Sequence, residues 1–335
     1  MSPRGRKPGT KNNKEPNTLL EALKFISVAQ RANGAPEVTH CRMSSTWMWA
    51  SNGILSAAHK IQETIECCPH TYSLMEALEA APGAVNLTYL DGSNSLSVRS
   101  GEFSVTIPCI EASGFPTVMP DPQTGLCDDR FKTALQTVGT LAAESGQKLI
   151  NASVQLRGTT ALASDGNVIL EAFHGCQMPD LAILPKAFVT ALSRSTSSIE
   201  RFGASNDSLT LWYADGSWLK TQNYDPASEL PDLYRFLNQP SIPIAVPKEL
   251  FSIAKLLAPF SGDGKLYSTK DGLKVNGVAP AVNVIKNMPL GVAFSIKALL
   301  QIAPFCTTIH FLAAENLSLF FGENVRGCIE TERFE

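Results

Sequence analysis

The side chains that most often carry out chemistry in proteins are scattered in this sequence. The five histidines are isolated from one another, and the eight cysteines form no Cys-x-x-Cys pair and have no histidine at zinc-finger spacing. The segment Gly262-Asp263-Gly264-Lys265 lacks the earlier glycine and the Ser or Thr that a phosphate-binding loop requires. The sequence therefore predicts no catalytic centre, no metal site and no cofactor.

The remaining chemistry is that of charge. Basic side chains recur near segments with helical apolar spacing, and such side chains bind DNA phosphates without reading the bases. Because the formal net charge is only −3, the acidic residues are expected mostly elsewhere. The candidate DNA contacts are Lys24, Arg31, Lys132, Lys148, Lys186, Arg194, Arg201, Lys248, Lys255 and Lys297. For each of them, an ordinary solvated helix face is the alternative interpretation.

The elements that would position these charges come in three copies. Asn94-Ser95-Leu96-Ser97-Val98 recurs as Asp207-Ser208-Leu209-Thr210-Leu211 and as Asn316-Leu317-Ser318-Leu319, at steps of 113 and 108 positions between the leucines. A second landmark has steps of 113 and 111 between its glycines, which are Gly53, Gly166 and Gly277. Two landmarks with one period predict three copies of a unit of roughly 110 residues, the size of a small domain.

Each copy is predicted to contain a helix, strands, a second helix and closing strands. In the second copy, apolar residues from Phe131 to Ala142 follow helical spacing, and alternating strands flank the Asp165-Gly166 turn. This order indicates an α+β fold, in which helices segregate to one face of antiparallel sheets. The predicted boundaries are a tail at 1–18 and domains at 19–125, 126–240 and 241–335.

Such domains suggest a closed assembly. Three of them in an arc would place two helices per domain on one side. If two arcs meet head to tail, the contact is heterologous, and a rotation that closes gives a ring with helices inside and sheets outside.

Several segments also resemble a known family. Ser95 to Val105, Ser113-Gly114-Phe115-Pro116 and Glu229 to Phe236 resemble the bacterial sliding clamp, the beta subunit of DNA polymerase III, over about residues 17 to 334. The resemblance implies three DNA-clamp domains in a head-to-tail homodimeric ring that encircles duplex DNA. It also implies a replicative polymerase and a clamp loader as partners. The basic N-terminal extension, the compact third domain and the polar chain end differ from the usual pattern and would suit a phage or plasmid member.

The resemblance implies two protein-binding surfaces. Partner peptides would dock in an apolar groove between the second and third domains, at Ser164, Gly166, Val168, Ile169, Pro231, Arg235, Phe236, Ile329 and Arg333. For Ile169 and Ile329, a place in the strand core is the alternative. Ring closure would bring Phe103 against Leu256, Leu257 and Phe260 of the neighbouring copy, with core packing the alternative for Phe103.

The N-terminal residues differ in kind from the rest. Arg4, Arg6 and Lys7 lie in a segment without apolar periodicity, which is predicted to be disordered. The Arg-Gly-Arg core resembles an AT-hook, in which arginines enter a narrow A·T minor groove. A plain basic tail that helps to capture DNA is the alternative.

Composition limits the remaining classes of protein. No apolar run approaches the roughly 18 residues of a membrane span, and the first residues are basic and polar rather than a secretory signal. We therefore expect a cytoplasmic protein. A sliding clamp is the leading interpretation, a triplicated scaffold without DNA encirclement is second, and a hydrolase is third.

Overall fold

The order of elements recurs three times in the computed structural model, which describes residues 18–142, 151–178, 182–224, 231–276, 282–283, 285 and 288–334. Each copy begins with a helix and returns to a second helix between groups of strands, as the sequence predicts. The first copy comprises α1 (Thr18–Ile26), α2 (Pro36–Thr39), β1 (Arg42–Ser44), β2 (Trp47–Ser51), β3 (Leu55–Lys60), β4 (Cys68–Pro69), α3 (Thr71–Ala80), β5 (Asn86–Leu90), β6 (Ser95–Ser100) and β7 (Phe103–Ile110).

The second copy is preceded by β8 (Gln123–Leu126). It comprises α4 (Asp129–Gly139), β9 (Ser153–Arg157), β10 (Thr160–Ser164), β11 (Val168–Phe173), β12 (Ala182–Pro185), α5 (Lys186–Leu192), β13 (Ile199–Ala204), β14 (Ser208–Tyr213) and β15 (Trp218–Gln222). A one-turn helix, α6 (Tyr234–Leu237), lies in the linker that follows.

The third copy has shorter connections. Its elements are β16 (Ile244–Ala245), α7 (Leu250–Leu257), β17 (Lys265–Thr269), β18 (Gly272–Lys274), β19 (Val282–Asn283), β20 (Val292–Ser295), α8 (Ile296–Ile302), β21 (Thr308–Ala314), β22 (Leu317–Gly322) and β23 (Val325–Arg333).

Capping and apolar spacing explain why the helices form where they do. Asp128 precedes α4 and accepts a hydrogen bond from the backbone N–H of Arg130 at 2.9 Å, while Ser295 caps α8 by accepting from Ala298 at 3.2 Å. Buried residues of α4 recur at Phe131, Ala134, Leu135 and Val138, the spacing of one helix face. The helices pack in pairs within each copy, α1 with α3, α4 with α5 and α7 with α8.

The chain forms two compact units. The first contains the residues up to Asp121 together with Arg194–Ser197 and Thr210–Lys220. Within it, β4, β7, β6 and β5 form an antiparallel sheet in that order, and β1, β2 and β3 form a meander. Lys220 extends to Asp121, whose carboxylate also accepts a hydrogen bond from Thr210 at 2.8 Å.

The second unit holds the rest of the chain, and twelve of its strands form one continuous sheet. The strands follow the order β12-β9-β10-β11-β23-β20-β17-β18-β19, with β22, β21 and β16 branching from β23. The joint between the second and third copies is the antiparallel pairing of β11 with β23, in which Val168 lies opposite Ile329. The α+β class with antiparallel sheets is therefore confirmed. The three domain boundaries stay a prediction, since this unit contains elements of two predicted domains.

Two further properties concern the described residues only. None of their helices has the length and apolar character needed to cross a membrane. No group of three or more histidine, cysteine, aspartate or glutamate residues among them is arranged to hold a metal ion.

Candidate peptide groove and nucleic-acid interface

An apolar cluster lies at the joint between β11 and β23. Its buried members come from β10, β11, the linker, β22 and β23, and are Leu162, Ile169, Leu233, Leu237, Leu319 and Cys328. Partly exposed side chains pack against it, namely Tyr234, Phe236, Ala313, Leu317 and Phe321. Burial raises the pKa of the Cys328 thiol to about 12, so this residue packs as a neutral, apolar side chain.

The structure brings two predicted groove residues together in this cluster. Ile169 on β11 and Phe236 on α6 both pack into it, although they are far apart in sequence. The Arg235 guanidinium lies 4.6 Å from the centroid of the Phe236 ring and covers part of it. Pro231 and Arg235 are exposed in the same linker. This surface combines an apolar floor with a basic edge.

For two other residues, the prediction that they line the floor of the groove is wrong. Val168 and Ile329 are 1 % and 0 % exposed, and they lie opposite each other in the strand ladder. Successive residues of a strand face opposite sides of the sheet. Because Ile169 and Cys328 face the apolar cluster, Val168 and Ile329 face the core behind it.

The turn before β11 has a structural task of its own. Ser164 is buried, and its hydroxyl accepts a hydrogen bond from the N–H of Gly166 at 3.1 Å, so it does not line a surface. Gly166 has a φ of +98°, which a side chain would strain. Asp165 accepts from the N–H groups of Asn167 and Val168 at 3.0 and 2.9 Å and also contacts Gln301 of α8 at 3.1 Å. Through this hydrogen bond, the turn connects the second copy to α8.

Arg333 is separate from the cluster. It lies at the end of β23 opposite Val292, whereas the preceding part of that strand pairs with β11. Four residues of strand separate it from Ile329, about 13 Å at roughly 3.3 Å per residue.

Sequence reasoning had missed Leu162, Leu317 and Phe321. Their alternation in β10 and β22 was a usable signal, but the partner strand was unknown.

The predicted DNA contacts fall into four groups. Exposed positions at or near the paired helices are Lys24, Arg31, Arg194, Lys248, Lys255 and Lys297. Lys132 and Lys186 are half-buried on α4 and α5, whereas Arg201 is an exposed residue of β13 and is thus on a strand, contrary to its predicted helical face. Lys148, Arg4, Arg6 and Lys7 lie outside the described residues.

The acidic residues do not avoid the helices, contrary to expectation. In the first unit, α1 carries Glu21 beside Lys24, and α3 carries Glu76 and Glu79 with no basic residue. Lys24 forms an ion pair with Glu79 at 3.0 Å. In the second unit, Lys255 and Lys297 are the charged residues of α7 and α8, and Lys297 lies 3.7 Å from Asp165. The cationic helix surface therefore belongs mainly to the second unit.

The predicted interface residues lie on two different elements. Phe103 is half-buried at the start of β7, where β7 pairs with β6, whereas β4 reaches only Cys109 and Ile110 on the other edge. At and after the end of α7, Leu256 and Phe260 are 61 % and 47 % exposed. Leu257 is 2 % exposed because it lies on the buried face of α7 with Ile253 and Ala254, so the structure removes it from the predicted surface.

Comparison with solved structures identifies the fold. The chain is similar to Caulobacter crescentus pol III beta, with a TM-score of 0.79 and 16% identity over 94% of this chain and 98% of that one. It is similar to the DNA polymerase sliding clamp from Bacillus subtilis, with a TM-score of 0.76 and 15% identity over 95% and 97%. A DnaN sliding clamp from Pseudomonas aeruginosa bound to griselimycin gives 0.76 and 14% over 95% and 97%.

The comparisons at the level of sequence find no match, in contrast to the comparison of structures. No protein-family model matches the sequence, and no curated protein matches it. The structural agreement extends over nearly the whole of each chain compared. This chain therefore has the fold of the bacterial DNA polymerase III beta sliding clamps.

Proposed function

We propose that this chain is a sliding clamp, a processivity factor that encircles duplex DNA and tethers the replicative polymerase. The observation that carries the proposal is the agreement with pol III beta over 94% of this chain and 98% of the other. Agreement over both whole chains favours a shared function of the assembly over the reuse of one domain. The chain acts by topology and by binding, not by catalysis.

Exposed cations at and beside the helices of the second unit support contact with DNA. Lys255 and Lys297 on α7 and α8, with Lys248 just before α7, present ammonium groups that bind phosphates in a sequence-independent way. The acidic residues of α1 and α3 weaken this contact in the first unit. The basic segment with Arg4, Arg6 and Lys7 precedes α1 in sequence and adds positive charge for contact with DNA, either as an AT-hook or as a plain tail.

The apolar cluster supports binding of polymerase and clamp-loader peptides. Phe236, Leu317 and Phe321 remain partly exposed beside a buried floor, the arrangement in which one or two apolar anchors of a flexible peptide bind. Arg235 and Pro231 form the exposed edge of this peptide groove. A site with few anchors binds weakly enough for partners to exchange.

Ring closure is proposed to join two copies head to tail. Phe103 on the open edge of β7 would contact Leu256 and Phe260 of the second copy. Exposed aromatic and aliphatic side chains of this size are typical of protein interfaces. A clamp loader would open the ring. The basic N-terminal segment and the polar last residues would suit a phage or plasmid clamp, and we expect it to act in the cytoplasm.

Primer extension tests this function directly. On a primed circular template, the chain together with a clamp loader should lengthen the products that a replicative polymerase of its host makes in one binding event. Phe236→Ala should remove most of that gain, because loss of an aromatic side chain that the bound peptide covers costs peptide affinity roughly tenfold or more. Phe173→Ala is the matched control, since Phe173 is an exposed phenylalanine of β11 outside the apolar cluster.

Two results would contradict the proposal. Product length that does not respond to the chain would favour the alternative, a triplicated scaffold that ignores DNA. Equal loss of activity in the Phe236 and Phe173 variants would remove the groove from the mechanism.

A further inference from the structure

A buried carboxylate lies beside the apolar cluster, on the same face of β11 as Ile169. Glu171 on β11 has a side chain only 6 % exposed, and an ionised carboxylate in such a place requires partners. Arg326, its cross-strand neighbour on β23, donates from Nε to one carboxylate oxygen. The hydroxyl of Tyr234 donates to the other at 3.1 Å. Both carboxylate oxygens are thus engaged.

The same tyrosine has a second polar neighbour. The Tyr234 oxygen lies 2.9 Å from the hydroxyl of Thr160 on β10. The Thr160 hydroxyl also donates to the backbone carbonyl of Arg157 at 3.2 Å. Burial, with a smaller contribution from the Glu171 carboxylate, raises the pKa of Tyr234, so the phenol keeps its proton at neutral pH. Tyr234, Glu171, Thr160 and Arg326, which we call the tyrosine network, connect four segments.

These segments are the ones that form the groove. Tyr234 is the first residue of α6, and Phe236 belongs to the same single turn. A helix of one turn has little stability of its own, so its orientation depends on tertiary contacts. Leu233 and Leu237 bury the turn in the apolar cluster, but apolar contacts are not directional. The hydrogen bond from Tyr234 to Glu171 is directional and fixes the rotation of the turn.

We propose that Glu171 is a positioning residue of the peptide groove, which holds Tyr234 and thereby sets Phe236 against Ile169. This inference rests on the proposed function, because peptide binding is its readout. Glu171 itself does not contact the peptide. Its effect passes through α6, while its contact with Arg326 ties the same carboxylate to the strand of the third copy.

The test compares peptide affinity with stability. The probe is a fluorescein-labelled pentapeptide with one leucine and one phenylalanine anchor, chosen from a small set as the tightest binder of the unaltered chain. Tyr234→Phe deletes only the phenol oxygen and should weaken binding roughly tenfold or more, the effect of one hydrogen bond to a charged group. Glu171→Leu should weaken it at least as much. The double variant should have no lower peptide affinity than the single variant with the lower affinity, because the two residues act as one unit.

The matched control removes an equivalent bond elsewhere. Tyr267 donates to the Asp263 carboxylate at 2.6 Å, outside the apolar cluster, and Tyr267→Phe should leave peptide affinity unchanged. Thermal midpoints of all variants separate a loss of affinity from a loss of folding.

The outcomes distinguish the inference from the function. Wild-type affinity in Tyr234→Phe, or an equal loss in Tyr267→Phe, would overturn the positioning role and leave the clamp proposal intact. Additive losses in the double variant would also overturn it. If the unaltered chain binds none of the peptides, the groove itself fails and the inference fails with it.

Discussion

The buried side chain of His174 makes the stability of this fold depend on pH. Its ring lies edge-on to Phe131 with 5.0 Å between centroids, and its Nδ1 accepts a hydrogen bond from the N–H of Cys176 at 3.2 Å. Among the described residues, Nε2 has no hydrogen-bond partner. Burial lowers the pKa of His174. Because Nδ1 accepts, the neutral ring carries its proton on Nε2, and a second proton would have to go on Nδ1 and break the hydrogen bond from Cys176.

The sign of the pH effect follows from this shift. In the unfolded chain the imidazole takes up a proton near pH 6.5, but in the folded chain it does so only at lower pH. The stability contributed by His174 is thus fully present above pH 6.5 and is lost as the pH falls below it. Asn can replace the Nδ1 acceptor without titrating. We expect the melting temperature of His174→Asn to fall less between pH 7 and pH 5 than that of the unaltered chain.

The pH dependence has to be compared between the unaltered chain and the His174 variant, because His40 also contributes to it. Its pKa is also lowered, mainly by burial, and it contributes to the pH dependence of both proteins. Calorimetry at a series of pH values gives the difference between them. Parallel curves for the two proteins would contradict a role for His174.

The faces of individual residues were the hardest feature to predict. Strands β10 and β11 follow from alternation and the Asp-Gly turn, yet a shift of one position exchanges the two faces of a strand. Val168 and Ile169 were both predicted to line the groove, and only Ile169 packs into the apolar cluster. The pairing of β11 with β23, about 160 residues away, decides which face meets the linker. No local pattern contains that information.

Among the helices, amphipathic spacing gave the positions within a few residues. The predicted helical spacing from Phe131 to Ala142 corresponds to α4, which begins at Asp129 and ends at Gly139. Charge distribution was less predictable. Glu76 and Glu79 follow the same spacing rules as lysines on an exposed face, so only the structure shows that α3 is acidic and adjoins Lys24.

Reversing a charge on a helix should lower DNA affinity in the second unit and raise it in the first. Lys255→Glu on α7 removes the cation that would neutralise a phosphate and should weaken DNA binding. The slope of log K against log salt should become shallower by about 0.9 for each phosphate that the protein no longer neutralises. Glu76→Lys on α3 should strengthen binding and steepen the slope. Fluorescence anisotropy of a labelled duplex at several salt concentrations measures both.

A third variant separates local from general electrostatics. Lys270 lies exposed in the turn between β17 and β18, away from the helices. Lys270→Glu makes the same change in net charge as Lys255→Glu and should have a much smaller effect. Equal effects of the two lysine variants would mean that the helices have no special role.

The chain as a whole should be half of an assembly. Light scattering should give about twice the chain mass of 36.1 kDa. Phe260→Asp and Phe103→Asp should each shift the mass towards one copy, because a buried unpaired carboxylate disrupts an apolar interface. Phe173→Asp, at an exposed phenylalanine outside both predicted surfaces, should leave the mass unchanged. A mass near three copies, or none of the shifts, would require a different geometry.

Retention on DNA of defined topology tests encirclement most directly. The chain is loaded onto closed circular DNA with a clamp loader, washed with salt, and the circle is then cut once by a restriction enzyme. Encirclement predicts that the protein stays with intact circles through the wash and leaves after the cut, since salt-sensitive contacts alone do not hold it. Protein that remains equally on cut and uncut DNA, or is never retained better on circles than on linear DNA, would contradict the account.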